Sequence, residues 1–126
     1  MRFAGYAAIF NRVDRGGDVV RAGAFRGAGA HLPLLWEHRP GRVIGRVELL
    51  GEDRRGLRVV GQVFDAAAAA LVGAREVTGL SFGYRVRRAR GRRPRELLAL
   101  DIVEVSLVAM PMQPLARVHA VEEVVW

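Results

Sequence analysis

The sequence predicts a mainly β domain with few helices, arranged as a β-barrel or sandwich and not as alternating β–α–β units. Short apolar stretches recur at fairly even spacing, clusters of turn residues separate them, and only one segment has a clear helix signature. A chain of 126 residues has the length of one domain and can bury a core without a disulfide or metal. We therefore expect residues 1–126 to form a single domain.

Seven apolar stretches predict the strands. The first, FAGYAAIF, is followed by the turn cluster NRVDRGGD. The stretches VIGRVELL and LRVVGQVF flank the polar loop GEDRRG and predict a hairpin, and Pro111 and Pro114 end the last strand region. The predicted strands span residues 3–10, 19–20, 32–36, 43–50, 57–64, 80–88 and 97–110.

The remaining segments predict one helix and several connections. Asp65 followed by an alanine run predicts a helix over residues 65–77, with Asp65 as the N-cap and Gly73 weakening the second half. Residues 21–30 are predicted as a glycine-interrupted loop or weak helix, and residues 91–94 as a turn. The tail, residues 118–126, is predicted as a strand or a short docking helix.

Composition removes several classes of chemistry. The chain has no cysteine, which excludes disulfide frameworks, cysteine nucleophiles and cysteine–zinc sites. All 20 basic residues are arginine, which excludes Schiff-base and P-loop lysines. No histidine pair has metal-ligand spacing, and no apolar run reaches the roughly 18–20 residues of a membrane span. We expect no cofactor, no metal and no membrane, and the hydroxyl nucleophile candidates are Ser81, Ser106 and Thr78.

The positive charge is concentrated in one segment. The formal net charge is +7, and seven arginines lie between Arg85 and Arg95 with no acidic residue among them. Such a cluster suits an acidic protein partner or phosphates, or else forms a solvated hairpin tip. Only Tyr84 lies next to it as an aromatic, which argues against a platform for single-stranded nucleic acid.

Ser81 lies in the alternating stretch GLSFGY. In a strand, Leu80, Phe82 and Tyr84 point one way, whereas Ser81 and Gly83 point the other. The flanking glycines would let another backbone, such as a substrate strand, approach closely. The alternative is a serine at a crowded crossing of two strands.

Glu104 and His38 also stand in unusual apolar settings. A carboxylate inside IVEVSLVAM is costly to bury unless an arginine or histidine pairs with it, and it shares a face with Ser106. His38 follows the run LPLLW. The alternatives are an exposed carboxylate on an edge strand and a structural histidine. A serine, a histidine and an acid make a catalytic triad only where geometry brings them together.

Across nearly the whole chain, an ordered set of motifs resembles the prohead (capsid maturation) protease family of tailed bacteriophages and gene transfer agents. The motifs are GYAAIFNRVDRGGDVVRAGAF, LLWEH, IGRV, GLSFGY, and EVSLV followed by MPMQPLARV. The resemblance implies a fold similar to the herpesvirus assemblin proteases, with a β-barrel-like core and surrounding helices. By matching positions it implies that Ser81 is the nucleophile, His38 the general base and Glu104 the third member.

The resemblance also implies a substrate and a location. The family cuts the scaffolding portion of the major capsid protein, and itself, inside the immature capsid in the bacterial host cytoplasm. The expected function is therefore a serine endopeptidase acting by acyl transfer, as a monomer or a homo-oligomer, with backbone N–H groups as the oxyanion hole and Arg117 as a candidate assistant. The stretch between Phe64 and Gly79 is shorter than in the family, which leaves substrate recognition open.

Two other classes compete with the protease. One is a non-catalytic β-barrel module that binds nucleic acid or capsid protein through the Arg85–Arg95 hairpin. The other is a shell or scaffold-associated protein that kept the fold and lost activity. The joint presence of His38, Ser81 and Glu104, in a chain with two serines and three histidines, favours the protease.

Overall fold

The computed structural model describes residues 1–26 and 31–122. These residues form eight strands and one helix. In chain order the elements are β1 (Arg2–Ile9), β2 (Asp18–Val20), β3 (Pro33–Trp36), β4 (Arg39–Glu52), β5 (Gly56–Val63), α1 (Ala66–Gly73), β6 (Gly79–Arg90), β7 (Arg95–Val108) and β8 (Val118–Glu122).

The strands form one sheet in which β7 has the central place. The order runs β2-β7-β3-β4-β5-β1-β8, and β6 pairs with β7 from the other side. The pairing of β6 with β7 is antiparallel, whereas β2 and β3 pair with the two ends of β7 in parallel. This arrangement places the strand of Ser81, the strand of Glu104 and the strand leading to His38 side by side.

The mainly β class is confirmed, but within the described residues the sheet does not close into the expected β-barrel. Its free end at β6 meets the β8 end only through a bridge between Gly79 and Arg117 and through isolated backbone hydrogen bonds. These bonds join Leu80 N to Ala116 O at 2.9 Å and Val118 N to the Thr78 carbonyl oxygen at 2.8 Å. The ladder stays open because β8 runs along β1 from Val118 onward.

A single hydrophobic cluster draws side chains from all eight strands and from α1, so the open sheet wraps around one core. Phe25, in the turn after β2, packs edge-on against Phe82 with ring centroids 5.2 Å apart. Phe10 stacks on Phe25 at 6.3 Å. The most deeply buried large side chains include Phe3, Leu34, Ile44, Leu57, Leu80, Leu97 and Leu107.

The predicted elements are present with shifted bounds. Asp65 caps α1, since its side chain accepts a hydrogen bond from Ala68 N at 2.9 Å. The helix ends at Gly73, short of the predicted end at Val77, because glycine is a weak helix former.

Two segments were predicted with alternatives, residues 21–30 and 118–126, and the structure describes part of each. Residues 22–26 form turns and residues 118–122 form a strand, whereas the parts of these predictions at 27–30 and 123–126 lie outside the described residues. The part of the chain that the structure describes contains no helix with the length and apolar character needed to cross a membrane.

Candidate active site

The β6–β7 register places the two serines and the acid on one face of the strand pair. Ser81 lies opposite Ser106, and Gly83 lies opposite Glu104. Residues directly opposite in an antiparallel pair share a face, so these four residues point the same way. The intervening residues fill the core on the other face, and they are Leu80, Phe82, Val105 and Leu107. The alternation expected from the sequence is confirmed.

His38 reaches this face through β3. Leu35 and Trp36 pair in parallel with Ser106 and Leu107, and Trp36 then pairs with Arg39 across a two-residue turn. That turn consists of Glu37 and His38, whose φ angles are 49° and 59°. Two successive left-handed residues match a tight hairpin turn that favours glycine and asparagine, so each of these side chains strains the turn by about 1–2 kcal/mol.

Three hydrogen bonds from β7 and the residue just after it hold the strained turn in place. Glu37 N donates to Leu107 O at 3.0 Å, and Ala109 N donates to Glu37 Oε1 at 3.3 Å. The backbone N–H of His38 donates to Ser106 Oγ at 3.0 Å. The position of the imidazole is therefore set by β7, the strand that also carries Glu104.

The imidazole and the carboxylate form a short pair. His38 Nδ1 lies 2.5 Å from Glu104 Oε1, and Glu104 Oε2 accepts a hydrogen bond from Ser106 Oγ at 2.6 Å. The hydrogen bond that the His38 ring donates to Glu104 raises the pKa of His38 above its usual value near 6.5. The charges of Glu104 and Glu37 also raise it, whereas burial lowers it. With its proton on Nδ1, the ring offers the Nε2 lone pair as a base.

His38 and Ser81 line the same small cavity, with a volume of about 100 Å³. Its other walls come from Leu80, Phe82, Tyr84, Leu97, Met112, Gln113, Ala7 and Asp14. Within the described residues the Ser81 hydroxyl makes no hydrogen bond to the His38 ring, whose Nδ1 is taken by Glu104. In active sites, hydroxyl–imidazole contacts are often long without substrate and tighten when it binds. The structure thus brings together the three side chains singled out in the sequence.

The space beside the serine has a different use from the one expected. A Cβ on Gly83 would lie 2.5 Å from Glu104 Oε1, and a Cβ on Gly79 would lie 2.5 Å from the Val108 carbonyl oxygen. At these two glycines the space is therefore taken up by the chain itself, and the cavity shared by Ser81 and His38 lies beside them. Gly83 is needed because the Glu104 carboxylate occupies the place of its side chain.

The hydroxyl groups of the two other nucleophile candidates, Ser106 and Thr78, already take part in hydrogen bonds within the protein. Ser106 is fully buried and bonded to both His38 and Glu104, a link that sequence reasoning did not find although it placed Glu104 and Ser106 on one face. Thr78 accepts a hydrogen bond from Arg117 Nη1 at 3.0 Å. Sequence reasoning also gave no signal for Gln113, a buried cavity residue whose Oε1 accepts a hydrogen bond from Ile9 N.

The two other histidines lie apart from this network. His119 packs against Tyr6 with centroids 5.6 Å apart, and His31 is exposed. Over residues 1–26 and 31–122, no three His, Asp or Glu side chains are grouped as a metal site would require.

The arginine cluster occupies the far end of the same two strands. Three of its members pair with acids: Arg87 with Asp101 at 3.6 Å, Arg90 with Glu96 at 2.8 Å, and Arg95 with Asp18 at 2.7 Å. Four form no ion pair within the described residues, and all four are exposed: Arg85, Arg88, Arg92 and Arg93. The positive charge of the cluster that no acid neutralises is therefore carried by these four side chains.

Known proteins match this chain over most of its length. The prohead protease of Enterobacteria phage HK97 is 31% identical over 97% of this chain and 60% of the relative, so the chain spans about three fifths of that protein. The KSHV protease, solved in complex with a hexapeptide phosphonate inhibitor, superposes with a TM-score of 0.67 at 15% identity, over 93% of this chain and 63% of that one. This likeness confirms the predicted herpesvirus-protease-like fold. Residues 1–125 match the Caudovirus prohead serine protease family, and the chain belongs to that family.

Proposed function

We propose that the chain is a serine endopeptidase in which Ser81 is the nucleophile, His38 the general base and Glu104 the acid that orients the base. The observation that carries the proposal is the pairing of His38 Nδ1 with Glu104 Oε1, next to a cavity that His38 shares with Ser81. A carboxylate on Nδ1 fixes the tautomer in which Nε2 is free to take a proton. Family membership supports the same reaction.

The reaction follows acyl transfer. His38 Nε2 takes the proton of Ser81 as the hydroxyl oxygen attacks the carbonyl carbon of the scissile peptide. The resulting imidazolium is stabilised by Glu104 and then gives its proton to the leaving amine. Water enters, and His38 takes one of its protons as the water oxygen attacks the acyl carbon. The bond from that carbon to Ser81 Oγ then breaks, His38 gives the proton to Oγ, and the acid product leaves.

The proposed substrate is the scaffolding portion of a major capsid protein, cleaved inside the immature capsid in the bacterial host, together with cleavage of the protease itself. The family and the phage relative support this assignment. We also propose that residues 1–126 act as one protease domain, since one core joins all the described elements.

The arginine hairpin is proposed to dock an acidic segment of the substrate. Four exposed guanidinium groups without acidic partners lie on the hairpin of the two strands that also carry Ser81 and Glu104, two on β6 and two in the connecting turn. Their charge would attract acidic polypeptide in a salt-dependent way. Under the competing proposal, a nucleic-acid module without catalysis, the pairing of the buried Glu104 carboxylate with the half-exposed His38 would have no use.

A serine-directed fluorophosphonate tests the proposal without knowledge of the cleavage sequence. The wild-type protein is expected to be labelled at Ser81, located by mass spectrometry, and Ser81→Ala is expected to lose at least about 1000-fold in labelling and in cleavage of co-expressed capsid protein. Thr78→Val, which removes a hydroxyl outside the network, serves as the matched control and should label normally. Label on another residue, or cleavage by the Ser81→Ala protein, would contradict the assignment.

A further inference from the structure

We propose that Ser106 is a positioning residue that holds the base and the acid of the site together through one hydroxyl group. This inference rests on the proposed function, because it gives Ser106 a role in the reaction assigned to Ser81, His38 and Glu104. Ser106 lies opposite Ser81 in the β6–β7 ladder and has no solvent-exposed surface.

The two contacts of Ser106 use its hydroxyl in complementary ways. The backbone N–H of His38 can only donate, so it takes a lone pair of Ser106 Oγ at 3.0 Å. The hydroxyl proton is then free for Glu104 Oε2 at 2.6 Å, where an ionised carboxylate can only accept. The direction of both hydrogen bonds is therefore fixed.

The contact to His38 holds a strained piece of backbone. Glu37 and His38 both have positive φ, a conformation that residues other than glycine, asparagine and aspartate rarely adopt. A strained backbone of this kind persists only where contacts with the surrounding structure hold it in place. His38 contacts β7 twice, through its ring at Glu104 and through its backbone N–H at Ser106, so Ser106 is the contact that holds the backbone of the residue carrying the base.

The contact to Glu104 fixes the second oxygen of the carboxylate. With Oε2 held by Ser106, Oε1 points at His38 Nδ1. Loss of the hydroxyl frees the carboxylate to rotate and the turn to relax, and both movements lengthen the Glu104–His38 hydrogen bond. Because that bond is the main cause of the raised pKa of His38, the pKa should then fall towards its ordinary value.

The test compares wild type, Ser106→Ala and the control Thr78→Val by the rate of fluorophosphonate labelling as a function of pH. Ser106→Ala is expected to lower the plateau rate by about 100-fold, as a displacement of catalytic groups by about 1 Å does. The midpoint of the acid limb is expected to move to lower pH. A purely structural role would lower the melting temperature and leave that midpoint unchanged. Ser106→Thr keeps the hydroxyl and should restore both the rate and the midpoint.

The outcomes separate the two proposals. If Ser81→Ala blocks labelling while Ser106→Ala keeps the wild-type rate and midpoint, the positioning role is overturned and the proposed function stands. If Ser81→Ala labels as wild type does, the proposed function fails. Should Ser106→Ala melt below the assay temperature, Ser106→Cys is of nearly the same size and bonds weakly, so the same loss and the same shift are required of it.

Discussion

The two ends of the β6–β7 hairpin are made from the same pair of strands and differ in almost every physical respect. Near Gly79, the hairpin carries Ser81, Glu104 and Ser106, none more than 8% exposed. Near Arg90, the same strands and the turn that joins them carry seven arginines, of which three pair with acids and four do not. One end is buried, polar and tightly bonded, and the other is exposed, charged and loosely paired.

The difference shows where a sequence is informative about chemistry. Burial makes a carboxylate expensive unless it is partnered, so Glu104 in an apolar strand predicts a partner, and the structure supplies His38. Exposed arginines are under no such constraint, because surface ion pairs contribute little and long side chains remain free. Activity at the buried end should therefore be sensitive to the loss of a single hydrogen-bonding atom. Ligand binding at the exposed end should depend only on the sum of several charges.

The largest effect in this comparison is expected from Glu104→Gln. Ser106 donates to the Oε2 position, so the amide oxygen should settle there and the amide NH₂ should face His38 Nδ1. The imidazole would then carry its proton on Nε2 and lose its function as a base, with a fall in labelling rate of about 10³–10⁴-fold. The fluorophosphonate rate measured against pH checks both the size and the cause.

The pH dependence of the same variant has a definite sign. In the wild type, Glu104 stabilises protonated His38, so the neutral base appears, and the rate rises, with a midpoint above the usual pKa near 6.5. In Glu104→Gln the midpoint should move down towards that value. Asp101→Asn is the matched control, because Asp101 lies on the same strand but is exposed and pairs with Arg87. An equal loss in Asp101→Asn would show that the acid had been misassigned.

A smaller effect is expected from Gly83→Ala. The added methyl group would lie 2.5 Å from Glu104 Oε1, so the carboxylate must move away from His38. We expect a labelling rate lower by about 10–100-fold, and a free energy of unfolding lower by about 1–3 kcal/mol from overpacking. Gly51→Ala is the control, because a Cβ there has no neighbour within 4 Å. If the two variants had the same labelling rate and the same free energy of unfolding, a methyl group at Gly83 would not displace Glu104 from His38.

The features that follow a two-residue period could be read from the sequence. Alternation placed Ser81 with Gly83 on one face of their strand and Glu104 with Ser106 on one face of theirs. The register of β6 with β7 confirms each pairing and shows that the two faces are the same. The meeting of His38 with Glu104 could not be derived in this way, because it depends on a parallel pairing of β3 with β7 across about 70 residues of chain. Only the family resemblance placed the histidine.

Contacts that depend on turn geometry also could not be predicted from the sequence. Ser106 was a candidate nucleophile, and its bonds to the His38 backbone exist only because the turn after β3 takes up two positive φ angles. The open edge of the sheet was missed for a related reason. Strand periodicity does not say whether the last strand will pair with β6 or continue along β1.

The smallest effect on catalysis is expected at the exposed end. Replacing Arg85, Arg88, Arg92 and Arg93 by glutamine should leave fluorophosphonate labelling within about twofold, since surface substitutions of this kind seldom disturb a buried network. Binding of labelled polyglutamate at low salt should weaken by about tenfold, and the remaining binding should depend less on salt. Fluorescence anisotropy at low and high salt measures both quantities.

The matched control removes the same charge from elsewhere on the surface, by glutamine at the exposed Arg2, Arg12, Arg42 and Arg54. If both quadruple variants lose polyglutamate binding equally, the net charge of the protein is responsible and the hairpin has no special role. If only the hairpin variant loses it, the four guanidinium groups form the docking surface. If the hairpin variant instead loses binding to a DNA oligonucleotide while its binding to polyglutamate is unchanged, the exposed end serves nucleic acid. In each case the buried end should keep its labelling rate, because its hydrogen bonds do not involve the arginines.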